Sequence, residues 1–130
     1  MSQPSNKTVL VLGAKGRFGR QAAIAFAQQG WTVKGFARNW DSFNEDLDHR
    51  VQRIDGDGFS AASIRAAATE ADMVVHAMNA PYDKWDTQFK AMNDAVIEAL
   101  IGSNKTVLIP GNVYNFGTSM PEVLTNDTPQ

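Results

Sequence analysis

Residues 8–19, TVLVLGAKGRFG, decide the fold of this chain. The first five residues form a continuous apolar and β-branched run, which is typical of a strand buried on both faces of a parallel sheet. Gly13, Gly16 and Gly19 follow at the spacing Gly-x-x-Gly-x-x-Gly. Between a strand and a helix, the first glycine permits a tight turn, the second lets a phosphate group approach the backbone, and the third lets the helix pack closely. We therefore expect a phosphate-bearing ligand at the N-terminus of the helix that follows.

The rest of the chain alternates between strand-like and helix-like segments. Strict alternation of buried strands with helices is typical of an α/β fold with a parallel sheet and right-handed crossovers. We expect one domain, residues 1–130, with a doubly wound parallel β-sheet (a Rossmann fold) of five strands in the order 3-2-1-4-5. The predicted strands are Thr8–Leu12, Thr32–Ala37, 51–54, 73–77 and 106–109. The predicted helices are a first helix ending near Gly30, a second over 61–68 and a third over 85–101, with room for one or two helical turns in 39–50.

The glycine loop favours a dinucleotide over ATP, because no Gly-Lys-Ser or Gly-Lys-Thr follows it. A tight turn without a ligand is the alternative interpretation. At the end of the second strand, where an acidic residue would bind the ribose 2′-hydroxyl of NAD, the chain has Arg38. A guanidinium favours the 2′-phosphate of NADP, and Lys15 and Arg17 add positive charge nearby. We therefore expect NADP to be preferred over NAD, with Asp41 as a rival ribose ligand and a solvated surface arginine as the other interpretation of Arg38.

Composition excludes several classes of site and partner. The chain has 130 residues, of which 43% are hydrophobic and 20% charged, and a formal net charge of −2. This balance gives no electrostatic reason to expect nucleic acid or an anionic membrane as a partner. Cysteine is absent, which excludes disulfides and thiolate chemistry, and two histidines are too few for a histidine-based metal site. The N-terminal residues lack the apolar stretch of a signal peptide, so we expect a cytoplasmic protein.

Four segments together resemble the extended and atypical short-chain dehydrogenase/reductase superfamily, in particular the NAD-dependent epimerase/dehydratase proteins. They are the glycine loop, Gly56-Asp57 after strand three, residues 75–82 (VHAMNAPY) after strand four and residues 110–117 (PGNVYNFG) after strand five. The resemblance implies that Asp57 meets the adenine and that residues 77–79 line the two riboses. It also implies that residues 79–85 and 112–116 face the substrate, and Asn93 matches a frequent family asparagine. The expected cofactor-binding residues are thus Gly13, Lys15, Gly16, Arg17, Phe18, Gly19, Arg38, Asp57, Ala77, Met78 and Asn79.

Each residue singled out by the resemblance also has a purely structural interpretation. A turn capped by its carboxylate would account for Asp57, and a polar position on a helix face would account for Asn93. His76 lies in an apolar strand, where a core histidine with satisfied hydrogen bonds is the commoner case than a catalyst. The aromatic residues near the strand ends suit either ordinary packing or a small organic substrate beside a cofactor cleft; they are Tyr82, Trp85, Tyr114 and Phe116.

The catalytic pattern of the family, Tyr-x-x-x-Lys, is missing from this chain. In that pattern the lysine acidifies the tyrosine, which moves a proton while the nicotinamide moves a hydride. At the same spacing, Tyr82 is followed by Asp86 and Tyr114 by Thr118, and Pro110 stands where the family has Ser or Thr. The catalytic candidates that remain are Tyr114 and Asn93.

The sequence leaves two functions open. Family members are considerably longer, so we expect the chain to be the N-terminal cofactor half of a larger oxidoreductase, epimerase or dehydratase, without its C-terminal substrate region. The full-length protein would act on a sugar nucleotide or a small carbonyl compound, and the chain alone would be inactive. The alternative is a non-catalytic NADPH-binding sensor or regulatory module. Because strand five would end the sheet uncovered, we also expect a homo-oligomer that buries strand five, the long helix or both.

Overall fold

The structure is a computed structural model that describes residues 7–43, 47–111, 122–123 and 126–127. Its centre is a five-stranded sheet in the order β3-β2-β1-β4-β5, and all neighbouring strands run parallel. This confirms the predicted fold class and strand order. The strands are β1 (Thr8–Leu12), β2 (Thr32–Ala37), β3 (Val51–Asp55), β4 (Met73–His76) and β5 (Thr106–Leu108).

The strand β1 lies at the middle of the sheet because both of its faces are apolar. Leu10 and Leu12 belong to one buried cluster, while Val9 and Val11 belong to another on the opposite face. All four side chains are fully buried. The continuous apolar run in the sequence therefore reflects a strand covered on both faces, as expected for a doubly wound sheet.

Three α-helices cover the two faces of the sheet. They are α1 (Arg17–Gln28), α2 (Ala61–Ala67) and α3 (Lys90–Leu100). Ala23 and Ala27 of α1 join the cluster formed by Val9 and Val11, so this helix packs close to that face. The other face is covered by α2 and α3, whose residues include Ile64, Val96 and Leu100. Ser60 caps α2, because its hydroxyl accepts a hydrogen bond from the amide of Ser63.

The long helix predicted over residues 85–101 is divided in the structure. Trp85–Phe89 forms one π-helical turn, and the α-helix proper begins at Lys90. The wider turn places the rings of Trp85 and Phe89 in a stack with centroids 4.8 Å apart. The apolar spacing of the sequence indicates one helical face but does not distinguish the two helical periods. Elsewhere, β3 ends one residue later than predicted, while β4 and β5 each end one residue earlier.

One edge of the sheet is left open among the described residues. β5 pairs only with β4, and its three residues are all exposed. Ile97 and Ile101, on α3 and just after it, are 60% and 77% exposed. No helix in the described part of the chain is long and apolar enough to cross a membrane.

Candidate functional site

The glycine loop makes a turn that only small residues permit. Gly13 has a φ of 79°, and a Cβ atom there would lie 2.7 Å from the carbonyl oxygen of Ala77. A Cβ atom on Gly19 would collide with the carbonyl oxygen of Gly13. These two glycines let the loop approach β4 and let α1 pack against the loop, as their positions in the sequence predicted.

Gly16 differs from the other two glycines of the loop. Its φ is −74°, which any residue adopts, and a Cβ atom there would make only one ordinary contact, 3.4 Å from the carbonyl oxygen of Gly13. Nothing in the packing of the described residues therefore requires glycine at this position. It is the N-cap of α1 and lines a cleft at the carboxyl ends of the strands. Space beside an unobstructed backbone at a helix N-terminus fits a phosphate group.

We call this cleft the glycine-loop cleft; its volume is about 320 Å³. Six of the predicted cofactor residues line it: Gly13, Gly16, Arg38, Ala77, Met78 and Asn79. The other lining residues were not predicted from the sequence: Phe36, Ala37, Gly56, Gly58, Phe59 and Met92. Most of these lie at or just after the ends of β2 and β3, and carboxyl ends of parallel strands share one edge of a sheet. That placement is the sequence signal that could have found them.

The second strand delivers Arg38 to one end of the glycine-loop cleft. Arg38 is exposed, and among the described residues its guanidinium has no hydrogen bond or ion pair. The ammonium of Lys15 donates to the carbonyl oxygens of Arg38, at 2.7 Å, and Asn39, at 3.2 Å. Lys15 thus ties the glycine loop to the segment after β2, a role that the sequence did not indicate.

A buried tryptophan fixes the segment that carries Arg38. Trp40 is 3% exposed, and its indole N–H donates to the carbonyl oxygens of Gly35 and Ile54. Its backbone amide donates to the carboxylate of Asp55. The neighbouring Asn39 adopts a left-handed φ of 55°, a conformation that asparagine tolerates better than most residues. The backbone around Arg38 is therefore held from both sides before any ligand binds.

Two carboxylates lie near Arg38. Asp41 and Asp55 line a neighbouring pocket that Arg38 shares. Asp41 thus shares a pocket with Arg38, and its role as a rival ribose ligand stays a prediction, while Asp55 has a structural partner in the amide of Trp40.

Asp57, Arg17 and Phe18 lie outside the lining of the glycine-loop cleft. The carboxylate of Asp57 accepts a hydrogen bond from the amide of Phe59, so it caps the turn after β3. Arg17 and Phe18 are the first residues of α1 and both are exposed. Phe18 lines a neighbouring cleft instead.

His76 and Asn93 form a polar pair between β4 and α3. The Nε2 atom of His76 donates to Oδ1 of Asn93 over 2.6 Å, which leaves Nδ1 as an acceptor. Nδ1 is buried without a hydrogen-bond partner among the described residues, and the whole residue is 5% exposed. The expectation of a core histidine with satisfied hydrogen bonds is therefore correct for one ring nitrogen only. Asn93 is not a free polar residue on a helix face, because it holds the histidine ring.

A second cleft, which we call the aromatic cleft, adjoins the first. Residues 77–79 line both clefts, so the two are continuous around the end of β4. The aromatic cleft has a volume of about 250 Å³, and its apolar walls come from Phe18, Trp85, Phe89, Ile109 and Pro110. The indole N–H of Trp85 donates to the carbonyl oxygen of Ala80, which fixes the ring. The predicted residues Tyr114, Phe116 and the rest of 112–116 lie outside the described residues.

A family model described as NAD(P)H-binding matches residues 13–128. The chain belongs to this NAD(P)H-binding family. The match begins at the first glycine of the loop and includes every residue that lines either cleft. The expectation of a nicotinamide dinucleotide as ligand is confirmed. The family match does not distinguish NAD from NADP. Among curated proteins, no sequence matches this chain.

Solved structures share the fold of this NAD(P)H-binding chain. A Rossmann-fold NAD(P)-binding family protein from Shigella flexneri is 23% identical, with a TM-score of 0.64 over 78% of this chain and 49% of its own. The enzyme WbmH from Bordetella bronchiseptica, solved with NAD+, is 18% identical, with a TM-score of 0.74 over 95% of this chain and 46% of its own. A short-chain dehydrogenase/reductase from Veillonella parvula, solved with NADP, is 18% identical, with a TM-score of 0.67 over 85% of this chain and 50% of its own.

These structural similarities confirm the Rossmann fold. They also confirm that the chain shares the architecture of short-chain dehydrogenase/reductase proteins. The chain spans about half the length of the three structures. One of them holds NAD+ and another NADP, so they do not decide which dinucleotide this chain prefers.

Proposed function

We propose that residues 1–130 form the NADP(H)-binding domain of an oxidoreductase of the epimerase/dehydratase type, which acts on a sugar nucleotide or a small carbonyl compound. The domain holds the cofactor across the carboxyl ends of its strands. When bound, the nicotinamide supplies hydride transfer. No observation on the described residues favours the alternative of a sensor or regulatory module.

Gly16 is the observation that carries this proposal. Gly13 and Gly19 are required by the packing of the protein itself, whereas the space beside Gly16 is open and faces the cleft. The packing of the described residues does not explain the glycine at the N-terminus of α1. Close approach of a diphosphate to the backbone there does explain it. In this proposal Gly16 and the first amides of α1 bind the diphosphate.

The preference for NADP over NAD rests on the cations at the other end of the cleft. The guanidinium of Arg38 is exposed at the cleft and is available to a 2′-phosphate, which it would bind with charge-assisted hydrogen bonds. Lys15 adds a second positive charge, since its ammonium is held by two neutral carbonyl groups and not by a carboxylate. Asp41, in the pocket shared with Arg38, would oppose a 2′-phosphate, and the two cations outweigh it.

A substitution at Gly16 tests the proposal without unfolding the protein. Aspartate is a preferred N-cap residue, so Gly16→Asp should leave the thermal unfolding temperature unchanged or slightly higher. Its carboxylate would stand in the cleft and repel a diphosphate, and we expect NADPH affinity to fall about a hundredfold. Isothermal titration calorimetry measures the affinity, and circular dichroism measures the unfolding temperature.

Gln21→Asp is the matched control, because it adds the same charge on an exposed position of the same helix outside the cleft lining. It should bind NADPH nearly as well as the wild-type chain. Equal affinities for all three proteins, or no NADPH binding by the wild type, would refute the proposed site.

A further inference from the structure

The aromatic cleft lies where a substrate would meet the nicotinamide end of a bound cofactor. The glycine-loop cleft has Arg38 at one end and residues 77–79 at the other, and the aromatic cleft continues from the latter. In a doubly wound sheet the dinucleotide crosses the edge at the point where strand order reverses, here between β1 and β4. The end of the cofactor away from Arg38 therefore points towards the aromatic cleft.

The walls of this cleft are flat and held in place. The rings of Trp85 and Phe89 are stacked with an interplanar angle of 17°, and the hydrogen bond from Trp85 to the carbonyl oxygen of Ala80 restricts rotation of the indole. Phe18, which is 49% exposed, lines the same space. Fixed aromatic faces favour planar ligands, because stacking adds to the burial of apolar surface without ordering flexible side chains.

The cleft offers little to a charged or hydroxyl-rich molecule. None of the described residues that line it is Lys, Arg, Asp or Glu, and the polar side chains are those of His76 and Asn79. The Nε2 atom of His76 is already bonded to Asn93, and Nδ1 is buried. The amide oxygen of Asn79 accepts from the amide of Ala80, and among the described residues the amide nitrogen of Asn79 has no hydrogen-bond partner. Among the described lining residues, buried sugar hydroxyls would find few partners and a diphosphate would find no cation.

One donor beside flat apolar walls fits a different class of ligand. We propose that the substrate of this protein is an uncharged, planar aromatic or conjugated carbonyl compound, bound in the aromatic cleft, and not a sugar nucleotide. This inference rests on the proposed function, since it places the ligand beside a bound cofactor. It selects one of the two substrate classes that the sequence left open. The stacked rings of Trp85 and Phe89 recognise the planar body, and the amide nitrogen of Asn79 binds the carbonyl oxygen.

The test compares ligands on the whole chain saturated with NADP+, the oxidised form, so that no ketone is reduced. The probes are 2-acetonaphthone, which is planar, cyclohexyl methyl ketone, which is not, and UDP-glucose, each titrated by calorimetry and by saturation-transfer NMR. For a ligand the size of 2-acetonaphthone, ordinary ligand efficiency gives a dissociation constant of about 1 mM or lower. We expect cyclohexyl methyl ketone and UDP-glucose to bind about tenfold more weakly or not at all.

Substitutions in the wall locate the binding. Phe89→Leu and Trp85→Leu keep an apolar side chain but remove a flat face, and each should weaken 2-acetonaphthone about tenfold. Two variants are used so that the test can still be read if one of them fails to fold. Circular dichroism identifies a variant that is unfolded. Trp31→Leu is the matched control, because Trp31 directly precedes β2, at the amino-terminal end of that strand, and lies outside the cleft lining.

The outcomes separate this inference from the proposed function. NADPH binding without a preference for the planar ketone, tighter binding of UDP-glucose, or unchanged ketone affinity in a folded Phe89→Leu or Trp85→Leu chain overturns the inference alone. Absence of NADPH binding in a separate titration overturns the proposed function and, with it, the inference. Tighter ketone binding that both wall variants lose supports it.

Discussion

Arg38→Ala should weaken NADPH binding much more than NADH binding. Only NADPH carries the 2′-phosphate, and the exposed guanidinium of Arg38 lines the cleft without a hydrogen bond or ion pair among the described residues. Because truncation of the side chain removes no hydrogen bond or ion pair among the described residues, the change in affinity reports the ligand contact itself. The backbone at this position should keep its conformation, since β2 precedes it, Lys15 bonds to the carbonyl oxygens of Arg38 and Asn39, and Trp40 anchors the segment that follows.

The expected size of the effect follows from the exposure of Arg38. A hydrogen bond to a charged group contributes about 1.5–3 kcal/mol, which is about 10–100-fold in affinity. Arg38 is solvent-exposed, so water and salt screen its charge, and the lower end of that range applies at about 0.15 M salt. We expect a loss of about tenfold for NADPH and less than about twofold for NADH. The NADPH loss should increase at low ionic strength.

Parallel calorimetric titrations of both cofactors at two ionic strengths measure this difference. Arg65→Ala is the matched control, since Arg65 is an exposed arginine on α2 that lines neither cleft. Asp41→Asn distinguishes the rival ribose ligand: it should raise NADPH affinity if Asp41 only repels the 2′-phosphate, and lower NADH affinity if Asp41 binds the ribose. Equal losses of NADPH and NADH in Arg38→Ala would refute the assignment of this residue to the 2′-phosphate.

Three further predictions concern the helix packing, the open sheet edge and activity. Gly19→Ala should destabilise the chain by about 1–3 kcal/mol and lower the unfolding temperature by about 5–10 °C, because the added methyl group collides with the carbonyl of Gly13; an unchanged unfolding temperature would contradict this. The chain should self-associate through α3 and β5, and Ile101→Glu should shift it towards the monomer in light scattering across a concentration series; a wild-type chain that stays monomeric at high concentration contradicts it. NADPH oxidation by the purified chain with aldehydes, ketones and nucleotide sugars should stay at background, because neither Tyr82 nor Tyr114 has a lysine at the required spacing; steady turnover would reveal another proton donor.

The sequence predicts the sheet and the glycine loop well because both depend on local patterns. The apolar run of β1 requires cover on both faces, and the glycine spacing is a recognisable strand–turn–helix pattern, although Gly13 is also required by the approach of the loop to Ala77. Arg38 is predictable for a related reason, since the end of β2 reaches the same edge of the sheet as the loop. The boundary errors of the strands are one residue at β3, β4 and β5, and α2 and α3 each end one residue earlier than predicted.

The parts of the site that the sequence did not indicate depend on contacts between distant residues. The ammonium of Lys15 reaches carbonyl groups more than twenty positions further along the chain, and no local pattern distinguishes that lysine from one that faces a phosphate. Trp40 similarly bonds to carbonyls on two different strands. The π-helical turn at Trp85 eluded prediction because apolar residues spaced for one helical period also fit a single wider turn.

Lys15 should influence how fast the cofactor arrives as well as how tightly it binds. The chain carries a net charge of −2, so an anionic dinucleotide is repelled at long range and attracted only near the cations at the Arg38 end. We therefore expect the adenosine end to make the first contact. Lys15 bonds the glycine loop to the segment after β2 before the cofactor arrives, so cofactor binding does not wait for these two segments to come together. The association rate constant should therefore lie near the upper part of the usual range, about 10⁶–10⁷ M⁻¹s⁻¹.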